Sequence, residues 1–237
     1  TDLKTHLEKK GWLGKTYLGI NENAMPMTLA AARVIRDHSK DWRITYAGDW
    51  HPELSPLLSD YSPVISSEPT AGELKDRKDR GFTTTFYVCC TPPKPNNFVF
   101  SPPIEGTFIG WYAFAYGYDG FLRWAFDAWP GDPLRDARHT LWPAGDCFLV
   151  YPGGNSSIRF EKLRDGIEDY EKLRILRERT SGSRDKKIKA GMAALEKHLE
   201  GFVDARDYQK RNYGTAKLTA LIAGGREMVR QLSEQLK

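Results

Sequence analysis

Cysteine is scarce in this chain, with three in 237 residues. Cys89 and Cys90 are neighbours and awkward to bridge, Cys147 is remote in sequence, and no Cys-x-x-Cys or other metal-ligand spacing occurs. Neither a disulfide framework nor a metal centre is expected, and the thiols should be buried. Long apolar runs are also missing. None approaches the 18 or so residues of a membrane span, and no charged-then-apolar signal segment opens the chain, so no membrane partner is expected. The start at Thr1-Asp2-Leu3, without a methionine, reads as a processed or truncated chain and leaves localisation open. Net charge is low, because 35 Lys and Arg stand against 31 Asp and Glu to give +4. Most basic residues alternate with acids, as over 73–80 and 161–179, which is the pattern of solvated helix faces. No basic stripe with interleaved aromatics occurs, which argues against a nucleic-acid partner. Internal repeats and low-complexity tracts are absent too.

What the chain does have is material for a core. At 40% hydrophobic residues and this length, one large domain or two small ones can bury substantial apolar surface. The stretch 15–27, KTYLGINENAMPM, organises the reading. Tyr17, Leu18, Gly19 and Ile20 read as a buried strand that runs into Asn21-Glu22-Asn23. In an α/β barrel, catalytic side chains project from the C-terminal ends of strands. Glu22 is therefore the first candidate for a working acid, with Asn21 beside it.

The remaining pattern alternates. Residues 1–13 read as the end of a helix, Thr28 can cap a helix carrying Leu29, Ala32, Val34 and Ile35, and 42–47 is the second strand. Strand, helix and strand in this succession are the signature of a parallel sheet. A short third strand is expected over 62–66, a charged helix over 71–78 and a fourth strand over 83–90. The proline-rich loop 91–103 is long enough to line a site. A buried aromatic helix over 106–118 and a fifth strand over 120–126, ending at Asp127, follow. Residues 128–155 are loop-like around one short strand at 147–151. A long helix runs from 156 to about 180, where Gly182 breaks it. Two amphipathic helices carry stripes at Ile188, Met192, Leu195 and Leu199, and at Leu218, Ile222, Gly225, Val229, Leu232 and Leu236. The expected domains are thus 1–180, a partial (β/α) barrel, and 181–237, a helical pair packed on it. A closed barrel needs eight strands and five are legible, so either the first strands lie on a separate piece or the sheet is open.

Several separate motifs carry a resemblance. Gly145-Asp146-Cys147-Phe148-Leu149-Val150-Tyr151-Pro152-Gly153, then 157–171 (SIRFEKLRDGIEDYE), Gly110-Trp111-Tyr112, Gly117, and Asp119-Gly120-Phe121-Leu122-Arg123-Trp124-Ala125 occur in the order found in the glycoside hydrolase family 123 catalytic domain, also called domain of unknown function 4091. The chain resembles that family. The resemblance implies a (β/α)8 TIM-type barrel of which this chain holds strands four to eight, usually preceded by a β-sandwich. It also implies removal of a terminal β-linked N-acetylgalactosamine from a glycan and a secreted or periplasmic location. No cofactor or metal is required, and an N-terminal barrel fragment or domain would complete the fold as a partner.

In such a family an Asp-Glu pair ends the fourth strand. The Glu protonates the leaving oxygen, while the Asp steadies the substrate's own 2-acetamido group as it attacks the anomeric carbon. This is one of the exceptions to the two-carboxylate scheme. Glu22 matches the acid, but Asn21 stands where the Asp is expected. An amide accepts a hydrogen bond yet cannot neutralise an oxazolinium-like cation. Two alternatives follow. One is a two-carboxylate retaining enzyme on a sugar without the acetamido group, pairing Glu22 with Asp127, although Asp127 maps to the eighth strand and such nucleophiles belong on the seventh. The other is a catalytically impaired carbohydrate-binding protein.

The other candidates are substrate contacts. Trp124, near a strand end, either stacks on a sugar or is core. Trp50 and His51, in the loop after the second strand, are expected to bind rather than pack. Tyr87, Asp49 and Trp129 are further pocket candidates. The charges over 159–171 read as ion pairing on a helix face, not as part of the site.

Overall fold

The computed structural model describes residues 2–207 and 214–236. Residues 208–213 and 237, which fall within the expected helical extension, lie outside the described residues. The chain divides into two compact units, Thr1–Tyr87 and Val88–Lys237.

The first unit is built on four strands, β1 (Tyr17–Ile20), β2 (Arg43–Gly48), β3 (Asp60–Pro63) and β4 (Thr83–Tyr87), preceded by helix α1 (Asp2–Lys9). They pair in sequence order and in parallel, with Gly19 opposite Thr45, Thr45 opposite Asp60, and Asp60 opposite Thr83. Helix α2 (Met25–His38) connects β1 to β2, and α3 (Ala71–Asp79) connects β3 to β4. Parallel strands need such crossovers. Along β2, Ile44, Tyr46 and Gly48 are buried while Arg43, Thr45 and Ala47 are half-buried, the period-two pattern of a sheet with one face under helices. On the helix side Ile44, Tyr46, Tyr61, Leu54 and Leu58 pack with Ala32, and Ile20, Met25, Leu29 and Ile35 close over them.

Four expectations need correction here. β1 is not a buried strand. It lies at the edge of the sheet, and its residues are half-buried apart from exposed Gly19. Helix α2 begins at Met25 rather than behind a Thr28 cap, because Pro26 occupies the first turn, where its missing N–H is no loss. Thr28 is instead buried within the helix and donates to the Asn23 carbonyl at 3.3 Å. β3 starts at Asp60, earlier than expected, and β4 stops at Tyr87, short of the two cysteines.

A buried cation ties the connections together. Arg77 on α3 is fully buried. It donates to Thr84 Oγ1 at 2.7 Å, to the carbonyls of Ser55 and Thr83 at 2.8 Å each, and to that of Leu58 at 3.2 Å. Thr70 and Glu73 cap α3 reciprocally, the Thr hydroxyl accepting the Glu73 N–H and the Glu carboxylate accepting the Thr70 N–H.

The second unit is mainly helical. It comprises α4 (Ile104–Tyr116), the short strand β5 (Gly120–Leu122), α5 (Ile158–Thr180), α6 (Lys186–Asp204) and α7 (Thr215–Gln235). Helix α4 is apolar all round and buried from Glu105 to Phe114, with α5, α6 and α7 packed against it. The motif glycines explain how close α4 and α5 come. A Cβ on Gly110 would overlap the Gly166 carbonyl, and one on Gly166 would meet the Thr107 carbonyl at 2.7 Å. On α5, Asp169 is buried and accepts the Trp111 indole N–H at 2.9 Å and the Arg226 Nε–H at 2.7 Å, linking α4, α5 and α7. Most other charges on α5 pair along the helix, as in Lys162 with Asp165 at 2.7 Å and Arg164 with Glu161 at 2.6 Å.

Strand content in this unit is lower than the sequence pattern implies. The expected strand over 120–126 is only three residues long, and that over 147–151 is reduced to isolated bridges, Asp127 with Phe148 and Tyr151 with Asn155. Buried Arg159 replaces a ladder here by donating from Nη1 to the carbonyls of Asn97, Gly145 and Phe148, each at 2.8 Å. All three cysteines are free, but only Cys147 is buried. Cys89 and Cys90 are half-buried where buried thiols were expected.

Glu105, in the first turn of α4, is fully buried and accepts the Asn96 N–H at 2.6 Å. Burial pushes its carboxyl from 4.5 up to about 7. Below the ordinary value folded and unfolded chains both hold this proton, and between about 4.5 and 7 only the folded chain does. Its contribution to stability therefore falls as pH rises through that window, by on the order of 3 kcal/mol, and levels off above it. Glu105→Gln should flatten this part of the profile of unfolding midpoint against pH. The same slope in both proteins would refute the assignment.

Candidate active site

The C-terminal strand ends of the first unit surround a cavity of about 350 Å³, walled by Glu22, Asn23, Met25, Tyr46, Asp49, His51 and Tyr87. Glu22 follows β1, Asp49 and His51 follow β2, and Tyr87 closes β4. The parallel sheet thus delivers residues distant in sequence to one rim. The Tyr87 hydroxyl donates to Glu22 Oε1 at 3.1 Å, which fixes one carboxylate oxygen and leaves the other free to face the cavity. Asn21 is exposed next to Glu22, and its carbonyl accepts from the Asn23 side chain at 3.3 Å.

The loop carrying Asp49 and His51 is held from beneath. The buried Tyr61 hydroxyl donates to the Asp49 carbonyl and accepts the His51 N–H at 2.9 Å. Trp50 stacks on the Tyr61 ring, with centroids 4.8 Å apart. Its backbone N–H donates to Ser67 Oγ at 2.9 Å and its indole N–H to Glu73 Oε1 at 3.2 Å. Trp50 is therefore a packing residue beneath the loop, and its neighbours Asp49 and His51 are the ones that line the cavity. His51 Nδ1 lies 4.0 Å from Glu53.

Tyr46 is a polar lining residue that the sequence reading missed, and Met25 an apolar one. The Tyr46 hydroxyl is raised in pKa by burial first and then by the charges of Glu22 and Asp49. The available signal was Gly48, two residues on and on the same face of β2. Any Cβ there would overlap the Tyr46 hydroxyl, so glycine makes the room for the ring to reach the rim.

Of the remaining candidates, Trp124 and Asp127 belong to the second unit. Trp124 is 52% exposed, so it is not core. Its indole N–H donates to Asp146 Oδ2 at 3.2 Å, and its ring lies 5.9 Å from that of Trp142. Asp146 is buried and paired with Arg123 at 3.1 Å, which anchors Trp124 at one edge and leaves its ring accessible. Asp127 is exposed, but its backbone lies in the bridge to Phe148 and not at the end of a strand. Trp129 is tied down by its indole N–H to the Val150 carbonyl at 2.7 Å. Among the described residues no three His, Cys, Asp or Glu side chains group as a metal site, and no helix is long and apolar enough to cross a membrane.

Comparison with known proteins places this geometry. No curated protein matches the chain. A structural match is a family 123 glycoside hydrolase from Clostridium perfringens, analysed for glycolipid glycan hydrolysis, at 24% identity and a TM-score of 0.76. The match covers 100% of this chain and 43% of the other, so the two share a fold and this chain spans less than half the length of that enzyme. Residues 1–176 match the family model described as glycoside hydrolase 123, catalytic domain. By that match, which spans the parallel sheet, the cavity at its strand ends and the paired-glycine helices, the chain belongs to glycoside hydrolase family 123.

Proposed function

We propose that this chain carries the acid/base side of a retaining, substrate-assisted β-N-acetylhexosaminidase acting on a terminal N-acetylgalactosamine, with Glu22 as general acid and base. The observation that supports it most is Glu22 at a strand end, in an open cavity, with one carboxylate oxygen held by Tyr87. Glu22 gives its proton to the glycosidic oxygen as that bond breaks. The 2-acetamido oxygen forms the new bond to the anomeric carbon, and Glu22 later takes a proton from the water that opens the oxazolinium-like intermediate. His51 and Tyr87 supply hydrogen bonds to substrate hydroxyls from the rim. Trp124, considered within the second unit alone, has an exposed aromatic face of the kind that stacks on sugar rings. A glycolipid glycan, on which the Clostridium enzyme's analysis centred, is a substrate of the right class.

The five strands are read as the fourth to eighth of a (β/α)8 barrel, completed by an N-terminal fragment or domain that pairs with β1. The edge position of β1 and the 43% coverage of the longer enzyme support this. Asn21 favours a second reading, a sugar-binding protein that has lost turnover. Chromogenic β-N-acetylgalactosaminide and β-galactoside separate the two. Turnover of the first only, increased by Asn21→Asp, is the expected result. Binding without turnover in both proteins would establish the second reading, and hydrolysis of the β-galactoside with no gain from Asn21→Asp would end the substrate-assisted one.

A further inference from the structure

Asn21 leaves the proposed mechanism one negative charge short. The oxazolinium-like intermediate is a cation, and a neutral amide can accept its N–H without compensating its charge. Yet the same cavity holds a second carboxylate that arrives from the next strand. We infer that Asp49 supplies the missing charge, steadying the substrate's acetamido N–H in place of an acid at position 21. This rests on the substrate-assisted reading and deepens it.

Four observations carry the inference. Asp49 and Glu22 line one cavity, each just beyond the end of its strand, and β1 and β2 are adjacent and parallel. The Asp49 backbone is fixed, because its carbonyl is held by the Tyr61 hydroxyl, the next residue stacks on the Tyr61 ring, and that residue's N–H is held by Ser67. This loop is braced as a positioning loop should be, by buried Tyr61 and by half-buried Trp50 and Ser67. The Asp49 side chain is exposed to the cavity and is not consumed in holding the loop, which uses its carbonyl instead. Tyr46, at the same rim, lies within the fields of both carboxylates, as two acids flanking one substrate would place it.

In the step itself the acetamido oxygen bonds to the anomeric carbon as the glycosidic bond breaks. The bonding pair leaves on the glycosidic oxygen, which takes the Glu22 proton. The positive charge left on the acetamido group is shared across its O–C–N atoms, and the Asp49 carboxylate accepts the N–H that carries part of it. Nothing else is gained or lost.

The test is a double-mutant cycle of Asp49→Asn with Asn21→Asp in the full chain. It is read by kcat/KM on chromogenic β-N-acetylgalactosaminide and by the Kd for N-acetylgalactosamine-thiazoline, a stable mimic of the cyclic intermediate. Asp49→Asn should lower kcat/KM and raise the Kd, each by 30-fold or more when residue 21 is Asn, and by less than 5-fold when it is Asp. Because the Asp49 carbonyl remains, the unfolding midpoint should not move, and Asp49→Glu should recover part of the loss. A change under 3-fold in Asp49→Asn, or equal losses in both backgrounds, would overturn the inference. If Glu22→Gln keeps full turnover while the thiazoline cycle behaves as expected, the acid assignment fails and Asp49 stands. If the native chain neither turns over the substrate nor binds the thiazoline, both fall.

Discussion

Replacing Glu22 by Gln should lower turnover of a β-N-acetylgalactosaminide by about 10³-fold, with little change in stability. Proton transfer by a positioned side chain contributes roughly 10²–10⁴-fold, and Gln keeps the shape while removing the proton. The side chain is exposed at the strand end, so the fold does not depend on it. The loss should grow with the basicity of the leaving group, since a nitrophenolate departs with little protonation and a sugar alkoxide needs it. Tyr87→Phe provides a graded control. It removes the 3.1 Å bond to Oε1 but leaves the acid, and should cost about 10-fold by letting the carboxyl wander, since misplacement of about 1 Å reduces rates appreciably. Full activity in Glu22→Gln on a poor leaving group would exclude Glu22 as the acid.

Arg77→Met should destabilise the first unit by roughly 3 kcal/mol or more, visible as a fall in denaturation midpoint. Methionine fills much of the same space, so the effect isolates polarity from packing. The guanidinium serves the carbonyls of Ser55, Leu58 and Thr83 and the hydroxyl of Thr84 from a fully buried position. It also lies between aromatic faces, 5.4 Å from the Phe82 ring centroid and 5.7 Å from that of Tyr61. Each buried acceptor left without its donor costs about 1–3 kcal/mol, and no water has ready access. Lysine is a poor substitute, since a point charge cannot reach groups spread around a planar fork. A fall below 1 kcal/mol in Arg77→Met would mean those carbonyls find other partners. Because Tyr61 both packs against Arg77 and braces the Asp49–His51 loop, activity should decline before global unfolding does.

Much of the fold was legible from short-range pattern. The strand over 42–47 and the helix carrying Leu29, Ala32 and Ile35 report local periodicity, and both survive in the folded chain, although Val34 of the expected stripe faces solvent. The family motifs were legible too, but not for their reason. Gly110 and Gly166 look like ordinary helix residues until α4 and α5 meet backbone to backbone. Trp50 was misjudged on the same ground. A tryptophan in a loop after a strand looks like a binding residue, and only the return of the chain at Tyr61 and Glu73 turns it into a packing one.

Reading along the chain is enough to place an acid, Glu22, at a strand end behind an amide, Asn21, where the family pattern implies a charge. Strand period, turn chemistry and motif order are properties of neighbouring residues, so they can be read along the chain. Asp49, His51 and Tyr87 were already candidates along the chain, but only the folded chain brings them and Tyr46 to one rim with Glu22. Tyr46, Asp49, His51 and Tyr87 lie 24 to 65 positions away, and only the parallel pairing of β1 to β4 brings their strand ends to the one cavity. Hydrogen-bonded register between distant segments leaves no local trace, which is why the charge absent at position 21 could be sought at Asp49 only in the folded chain.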